Sequence, residues 1–403
     1  MIYIYLLLLR IVAYLEGEQK IISFIIVAIL MIFSILKRTK RGTITKISQL
    51  NFNVIVLIVF VVIHGLIFGK VLVRDVAVLF TYWLWFIFTL NYFKDKSLNQ
   101  ILTFILITFL IFNVSNYISF KLIDPDQKYG VNTIMSYFGV FGYRIYFPLS
   151  SGANIFAFQL ALNTLLALYF IKNKIKKKFS ILIFCFYIYM MVLADSRLVL
   201  LFTFFFAFLY WVSLKTIISF IKNYWLFISF IFIGLLFVFY KTDIFQGLKR
   251  PGEIKGDVLS RIDIWEYAFG VIFDDYKLIL GHGLNGFEYN INPKVQEVFK
   301  SENLQTAHNF LIQNIIDFGF LGIIFILYWI FKLIKIVQSI KVEIITLLLV
   351  MFLIMGTTES IPTFYSFDSN MFFIVLLSTI IILNERKSTK FYKNNDLLSK
   401  KST

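Results

Sequence analysis

The chain has 403 residues, of which 59% are hydrophobic, 19% aromatic and only 15% charged. A soluble domain carries about 25% charged residues, so the composition excludes an ordinary soluble globule and places the chain in a bilayer. The net charge of +16 would suit a nucleic-acid binder, but in a polytopic protein Lys and Arg first report which loops stay in the cytoplasm, and no nucleic acid is expected as a partner.

About twelve apolar runs follow one another, near 2–15, 21–36, 50–69, 76–93, 101–120, 154–171, 179–193, 198–214, 224–240, 309–331, 342–357 and 370–383. Their length suits α-helices crossing hydrocarbon, whereas barrel strands are shorter and alternating. The expected fold is therefore an all-α polytopic membrane protein. It forms a single transmembrane domain over residues 1–383 with external loops 121–153 and 241–307, followed by a basic cytoplasmic tail at 384–403. No cleavable signal is expected, because a basic leader is missing and the first run leads directly into others.

With the N-terminus inside, the inner loops and tail hold 23 basic residues, against 7 in the short outer loops and 8 in residues 241–307. The excess of Lys and Arg on cytoplasmic loops thus places both termini inside and the long loop outside, in a bacterial cytoplasmic membrane. The single cysteine, Cys185, lies in an apolar run and leaves nothing to build a disulfide or a cysteine-based metal site from.

The segment 241–307 is too long for a simple connector, and ordered loops of that length usually carry function. Within it, Ile262, Trp265, Phe269 and Ile272 are spaced 3, 4 and 3 apart, the apolar stripe of an amphipathic helix. Ser260 and Asp263 resemble a capping box that would start this helix near Arg261. Gly281, Gly283 and Gly286 in "LGHGLNGF" then supply turns and close backbone approach. Two readings stand for the amphipathic helix, an interfacial anchor or part of a site that caps the bundle.

The next stretch, "AHNFLIQNIIDFGFLG" at 307–322, begins a membrane run with a histidine, two asparagines, a glutamine and an aspartate. Ionisable groups in hydrocarbon are costly and mark protein interiors or water-filled sites. On a helix advancing 100° per residue, His308 and Gly319 are nearly superposed, with Gly322 close by, which fixes His308 on an inward face. That face would carry His308 at the outer boundary and two small residues deeper, where a neighbouring helix approaches. Asp317 falls on the opposite face, positioned to pair with another helix. His308 suits a general base near neutrality, and an interfacial histidine equally serves as a structural hydrogen-bonding group. His64, mid-helix, and His282, in the glycine-rich turn, carry weaker signals, and no HExxH or cysteine cluster indicates a metal.

Arginines gather on the same expected side. Arg197 in "LADSRLVLL" follows Ser196 at a sharp polar break, Arg261 begins the amphipathic helix, and Arg144 precedes another helix in "FGYRIYFPLSSGANIF". A planar guanidinium grips phosphate through two parallel hydrogen bonds. Arg197 also reads as a hairpin tip whose side chain snorkels to the interface.

The order His308-Asn309, nine residues, Gly319, two residues, Gly322 resembles the signature of the O-antigen ligase and O-antigen polymerase family of integral membrane glycosyltransferases. Ser196-Arg197 with Leu201, and Arg261 with Trp265 before "GHGLNGF", resemble further family patterns; together these span roughly residues 140–360. "PLSSGAN" departs from the Pro-Asn pattern expected after Arg144. The resemblance implies a metal-independent, inverting enzyme without cofactor whose donor is a glycan on undecaprenyl diphosphate. His308 would activate the acceptor hydroxyl, Arg197, Arg261 and Arg144 would bind the diphosphate, and Ser196, Asn309, Gly319 and Gly322 would support the site. A flippase and a chain-length regulator are the protein partners it implies.

Within that family a polymerase joins lipid-linked repeats of a surface polysaccharide, O-antigen or capsule, and a ligase moves finished glycan to lipid A core or another acceptor. The polymerase is the favoured expectation and the ligase its alternative. A flippase or other transporter is the rival from another class. Transporters place coupling groups near the midplane on broken helices, whereas here the polar residues crowd one outer face.

Overall fold

The computed structural model describes residues 26, 29–30, 32, 47–69, 71–122, 128–150, 152–212, 264–266, 268–270, 278–284, 286–287, 307–357 and 367–399. Ten helices and one hairpin are described: α1 (Ile47–Phe68), α2 (Val73–Phe93), α3 (Leu98–Leu122), β1 (Lys128–Val131), α4 (Thr133–Tyr137), β2 (Tyr143–Ile145), α5 (Ala153–Lys172), α6 (Lys177–Leu193), α7 (Arg197–Val212), α8 (Phe310–Ile340), α9 (Glu343–Gly356) and α10 (Phe367–Ser399).

Among the described residues, five helical stretches are long and apolar enough to cross a membrane: Asp75–Phe93, Leu98–Leu122, Ala153–Lys172, Phe310–Ile340 and Ser369–Lys387. Shorter apolar helices occupy Ile58–Phe68, Arg197–Val212 and Glu343–Gly356. Of the twelve expected runs, those near 2–15 and 224–240 lie outside the described residues, and 21–36 is described only at four positions, all helical. The protein is thus mainly helical, with five spans described rather than twelve. It is not purely so: β1 and β2 pair antiparallel, Lys128 facing Ile145 and Tyr129 facing Arg144, where a plain external loop was expected.

Helix α5 is the hub. Its residues Phe156 to Leu168 are all buried, Gln159, Asn163 and Thr164 among them, because α3, α6, α7, α9 and α10 pack around it. Aromatic pairs mark two of these seams, Phe112 with Phe156 and Phe158 with Phe352. Short connections make α5 and α6 antiparallel neighbours, and likewise α8 and α9; left-handed Lys174, Lys176 and Lys341 turn the chain there.

Basic side chains close one end of the bundle. Lys172 Nζ donates to the Tyr210 carbonyl (2.6 Å), Arg386 donates to the carbonyls of Phe93 and Lys94 (2.9 Å each), and Lys387 Nζ donates to the Ser339 carbonyl (2.6 Å). Each cation meets carbonyls at the C-terminal end of a helix, where the last C=O groups lack intrahelical partners and the helix dipole is negative. The Lys-rich turns at 173–176 and 341 lie at this end. The segments expected to carry the chemistry lie at the other.

Candidate active site

Two groups of polar residues form at the end opposite the basic one. The first is built on the corner between α6 and α7. Asp195 takes a left-handed backbone, φ 50°, which folds the chain sharply enough for Ser196 and Arg197 to follow α6 directly. Its buried carboxyl accepts the Ile134 N–H at 3.0 Å. Asn132 caps α4 by accepting the Met135 N–H at 3.0 Å and donates to the Val192 carbonyl at 2.8 Å. The hairpin is thereby tied to the C-terminus of α6.

That tie brings Arg144, on β2, over the corner. Its Nε donates to the Ala194 carbonyl at 3.1 Å and its terminal amino group to Asn154 Oδ1 at 3.3 Å. The Ser196 hydroxyl donates to the same Asn154 oxygen at 3.2 Å. Three expected site residues therefore meet: Arg144 and Ser196 share one acceptor, and half-buried Arg197 opens α7 immediately after Ser196. Asn154, in the first turn of α5, is the residue that sequence reading missed. Its signal was present in "SSGAN": an asparagine still follows Arg144, at a different spacing from the expected Pro-Asn.

The second group surrounds His308. Asn309 is the N-cap of α8, and its side-chain oxygen accepts the N–H groups of Leu311 (2.9 Å) and Ile312 (3.2 Å). Its amide donates to the Thr357 carbonyl at 2.9 Å, just beyond α9. His308 precedes the cap with φ 50°, so it is not on the helix. The projection that stacked His308 over Gly319 does not hold, because the backbone turns out of helical geometry at the histidine itself.

Ala307, before His308, is buried and gripped on both sides. Its N–H donates to Gln313 Oε1 at 2.9 Å, and its carbonyl accepts the Trp265 indole N–H at 2.7 Å. Ile264, Ala268, Phe287, Ile312 and Ile316 pack with it, alongside Trp265 and Phe269. The expected amphipathic helix is helical at 264–266 and 268–270; its inner face packs on the first turns of α8. Ile262, Ile272 and the proposed phosphate ligand Arg261 lie outside the described residues.

Gly319 and Gly322 play other parts than helix contact. Gly319 has φ 65° and ψ −168° and breaks α8 into two segments. A β-carbon there would collide with the Ile279 carbonyl oxygen, since Ile279 and Leu280 enter the break. His282 N–H donates to the Ile316 carbonyl (2.7 Å), Gly283 N–H to the Asp317 carbonyl (2.8 Å) and Leu321 N–H to the Ile279 carbonyl (3.3 Å). The loop thus satisfies backbone groups that the interruption releases, which a non-helical stretch at membrane depth requires. Gly322 faces Phe318 of its own helix. Asp317 pairs with this loop instead of another helix: its carboxyl receives the backbone N–H groups of Gly286 and Phe287 and the Gln313 amide at 3.1–3.2 Å. From the far side of the loop, His64 Nε2 on α1 meets the Leu280 carbonyl at 2.7 Å and packs against Phe318.

Helix α9 joins the two groups. It packs against α5, α7 and α8, and its C-terminus carries Thr357, which Asn309 grips. The starts of α5, α7 and α8 are consequently at one end of the bundle, and with them Asn154, Arg197 and His308. Among the described residues no group of three or more His, Cys, Asp or Glu side chains is placed to hold a metal ion.

A bundle of long apolar helices with arginine, serine, asparagine and histidine collected at one end is an integral membrane protein with a polar site at one interface. Residues 180–327 match the family model Wzy_C, described as O-antigen ligase. The matched residues include Ser196, Arg197, Arg261, His308, Asn309, Gly319 and Gly322; Arg144 and Asn154 lie before them. No curated protein matches the chain.

Proposed function

We propose that the protein is a membrane glycosyltransferase that uses a glycan on undecaprenyl diphosphate and joins such units into a surface polysaccharide at the outer face of the cytoplasmic membrane. The observation that carries this reading is that Arg144 and Ser196 share the Asn154 oxygen, with Arg197 next along the chain, at the end of the bundle where His308 stands beside the capped start of α8. An acceptor hydroxyl attacks the anomeric carbon of the donor sugar while the His308 imidazole takes its proton. The bond from that carbon to the diphosphate oxygen breaks, inverting the centre, and the electron pair leaves on the lipid diphosphate. Guanidinium groups of Arg197, Arg144 and Arg261 stabilise the charge that develops there; preorganised donors of this kind supply much of an enzyme's rate. The scheme needs no metal.

Transfer to a different acceptor is the second reading, favoured by the description of the matched family as O-antigen ligase. Both reactions make the same demands on His308 and the arginines. The deciding experiment supplies lipid-linked repeat units to purified protein with EDTA present and resolves the products by length. A ladder is expected from the wild type and none from His308→Ala at equal membrane level, because losing a positioned base costs about 10² to 10⁴ in rate. A single transfer to added core acceptor identifies a ligase, and movement of lipid without bond formation identifies a transporter.

A further inference from the structure

We infer that Asp317 and Gln313 are positioning residues for His308, acting through the backbone of Ala307; the inference rests on the reading of His308 as the base. His308 stands in a left-handed conformation, which side chains other than glycine rarely adopt unless the surroundings impose it. The surroundings here do so from both sides. Ala307 is held at its N–H by Gln313 and at its carbonyl by Trp265. Asn309 is held by the first turn of α8 and by Thr357.

Gln313 works in this frame only in one orientation. Its oxygen accepts from Ala307 and its amide donates to both carboxyl oxygens of Asp317, one turn along the helix. An amide flip would set its NH₂ against the Ala307 N–H. Asp317 excludes that flip, because as an acceptor it demands the NH₂. Asp317 is itself 3% exposed and held by Gly286 and Phe287 of the loop that enters the α8 break. A directed chain of bonds therefore runs from loop 278–287 through Asp317 and Gln313 to the residue before the base.

The test exchanges the polarity of the pair. Gln313→Glu removes the donor between the two side chains, and Asp317→Asn leaves a single acceptor oxygen that can serve either the Gln313 amide or the loop N–H groups but not both; each breaks one link of the chain. The double variant Gln313→Glu with Asp317→Asn rebuilds it: the carboxylate introduced at position 313 accepts from Ala307 and from the amide introduced at position 317, whose oxygen accepts from the loop. Two readouts are taken on purified protein: kcat and donor KM for glycan transfer, and the rate at which diethyl pyrocarbonate modifies His308, located by mass spectrometry. Each single variant is expected to lower kcat about tenfold or more with donor KM within about twofold, since small misplacements of a reacting group cost that much. Each is also expected to change the His308 modification rate about fivefold, and the double variant to recover most of both losses, as coupled neighbours do.

Single variants with wild-type kcat and wild-type His308 reactivity overturn the proposal, as does a double variant no better than the worse single. Failure of the functional reading looks different. If His308→Ala still transfers glycan, His308 is not the base, while the modification rates of the pair variants still decide whether Gln313 and Asp317 position it.

Discussion

Asn309 and Thr357 are 48 residues apart in the chain, yet the Asn309 amide donates to the Thr357 carbonyl at 2.9 Å while its oxygen caps α8. One side chain therefore starts a helix and fastens it to the end of another, beside His308. Asn309→Ala is expected to lose both, at about 0.5–2 kcal/mol for the cap alone, read as a lower melting temperature in detergent. Asn309→Asp keeps the capping oxygen but loses the donor to Thr357, so it should recover most of the stability and little of the transfer activity. Equal recovery of both would mean that the link to α9 does not matter for activity.

Arg197→Ala is expected to remove most activity, and Arg197→Lys to restore little, because an ammonium cannot reproduce the two-pronged guanidinium grip on a phosphate. Full activity in Arg197→Lys would reduce its role to diffuse charge. Arg261→Ala and Arg261→Lys are expected to follow the same pattern.

Asn154→Ala removes the acceptor that Arg144 and Ser196 share. The expected result is a donor KM raised by about fivefold to tenfold, from misdirection of a group worth about 1.5–3 kcal/mol in a charged hydrogen bond, with correct membrane insertion. Asn154→Asp keeps the acceptor oxygens and should stay nearer the wild type. A donor KM unchanged in Asn154→Ala would separate Arg144 from substrate binding.

At Gly319 any side chain meets the Ile279 carbonyl, on a backbone of φ 65°. Gly319→Ala is expected to destabilise by about 1–3 kcal/mol from strain alone, and more from the displaced loop, giving low membrane levels. Gly270→Ala is the control: a β-carbon there meets nothing within 4 Å, and in a helical stretch the change is expected to be neutral to stabilising, by up to about 1 kcal/mol.

Single cysteines placed in a Cys185→Ser background test orientation. Lys174→Cys should react with a membrane-impermeant thiol reagent only from the cytoplasmic side, and Phe138→Cys, 81% exposed on the hairpin, only from outside. The reverse pattern would move the proposed site to the cytoplasm.

Hydropathy located most helices within a few residues: runs at 154–171 and 342–357 became Ala153–Lys172 and Glu343–Gly356. An apolar run long enough to span is a property of the local sequence. The end of α8 was less legible, since the run expected to stop at 331 continues to Ile340, where Lys332 lays its ammonium over the Trp329 ring and helix persists past the apolar core. The break at Gly319 was not legible at all. Its immediate neighbours, Phe318 and Phe320, are apolar, and what stabilises it is a loop about 40 residues earlier. The same holds for the backbone at His308, whose left-handed conformation depends on Trp265, Gln313 and Thr357 holding the residues on either side of it. Arg144 and Ser196 were each visible, but only the folded chain supplies the Asn154 oxygen between them.

The three cation-to-carbonyl ties of Lys172, Arg386 and Lys387 join α5 to α7, α10 to α2, and α10 to α8. All lie at one extremity of the bundle. At the opposite extremity Ser196 bonds Asn154 and Asn309 bonds Thr357, so α5 with α7, and α8 with α9, are clasped at both ends and move as pairs; under the proposed function a bulky glycan enters between these pairs and not by prying either one apart.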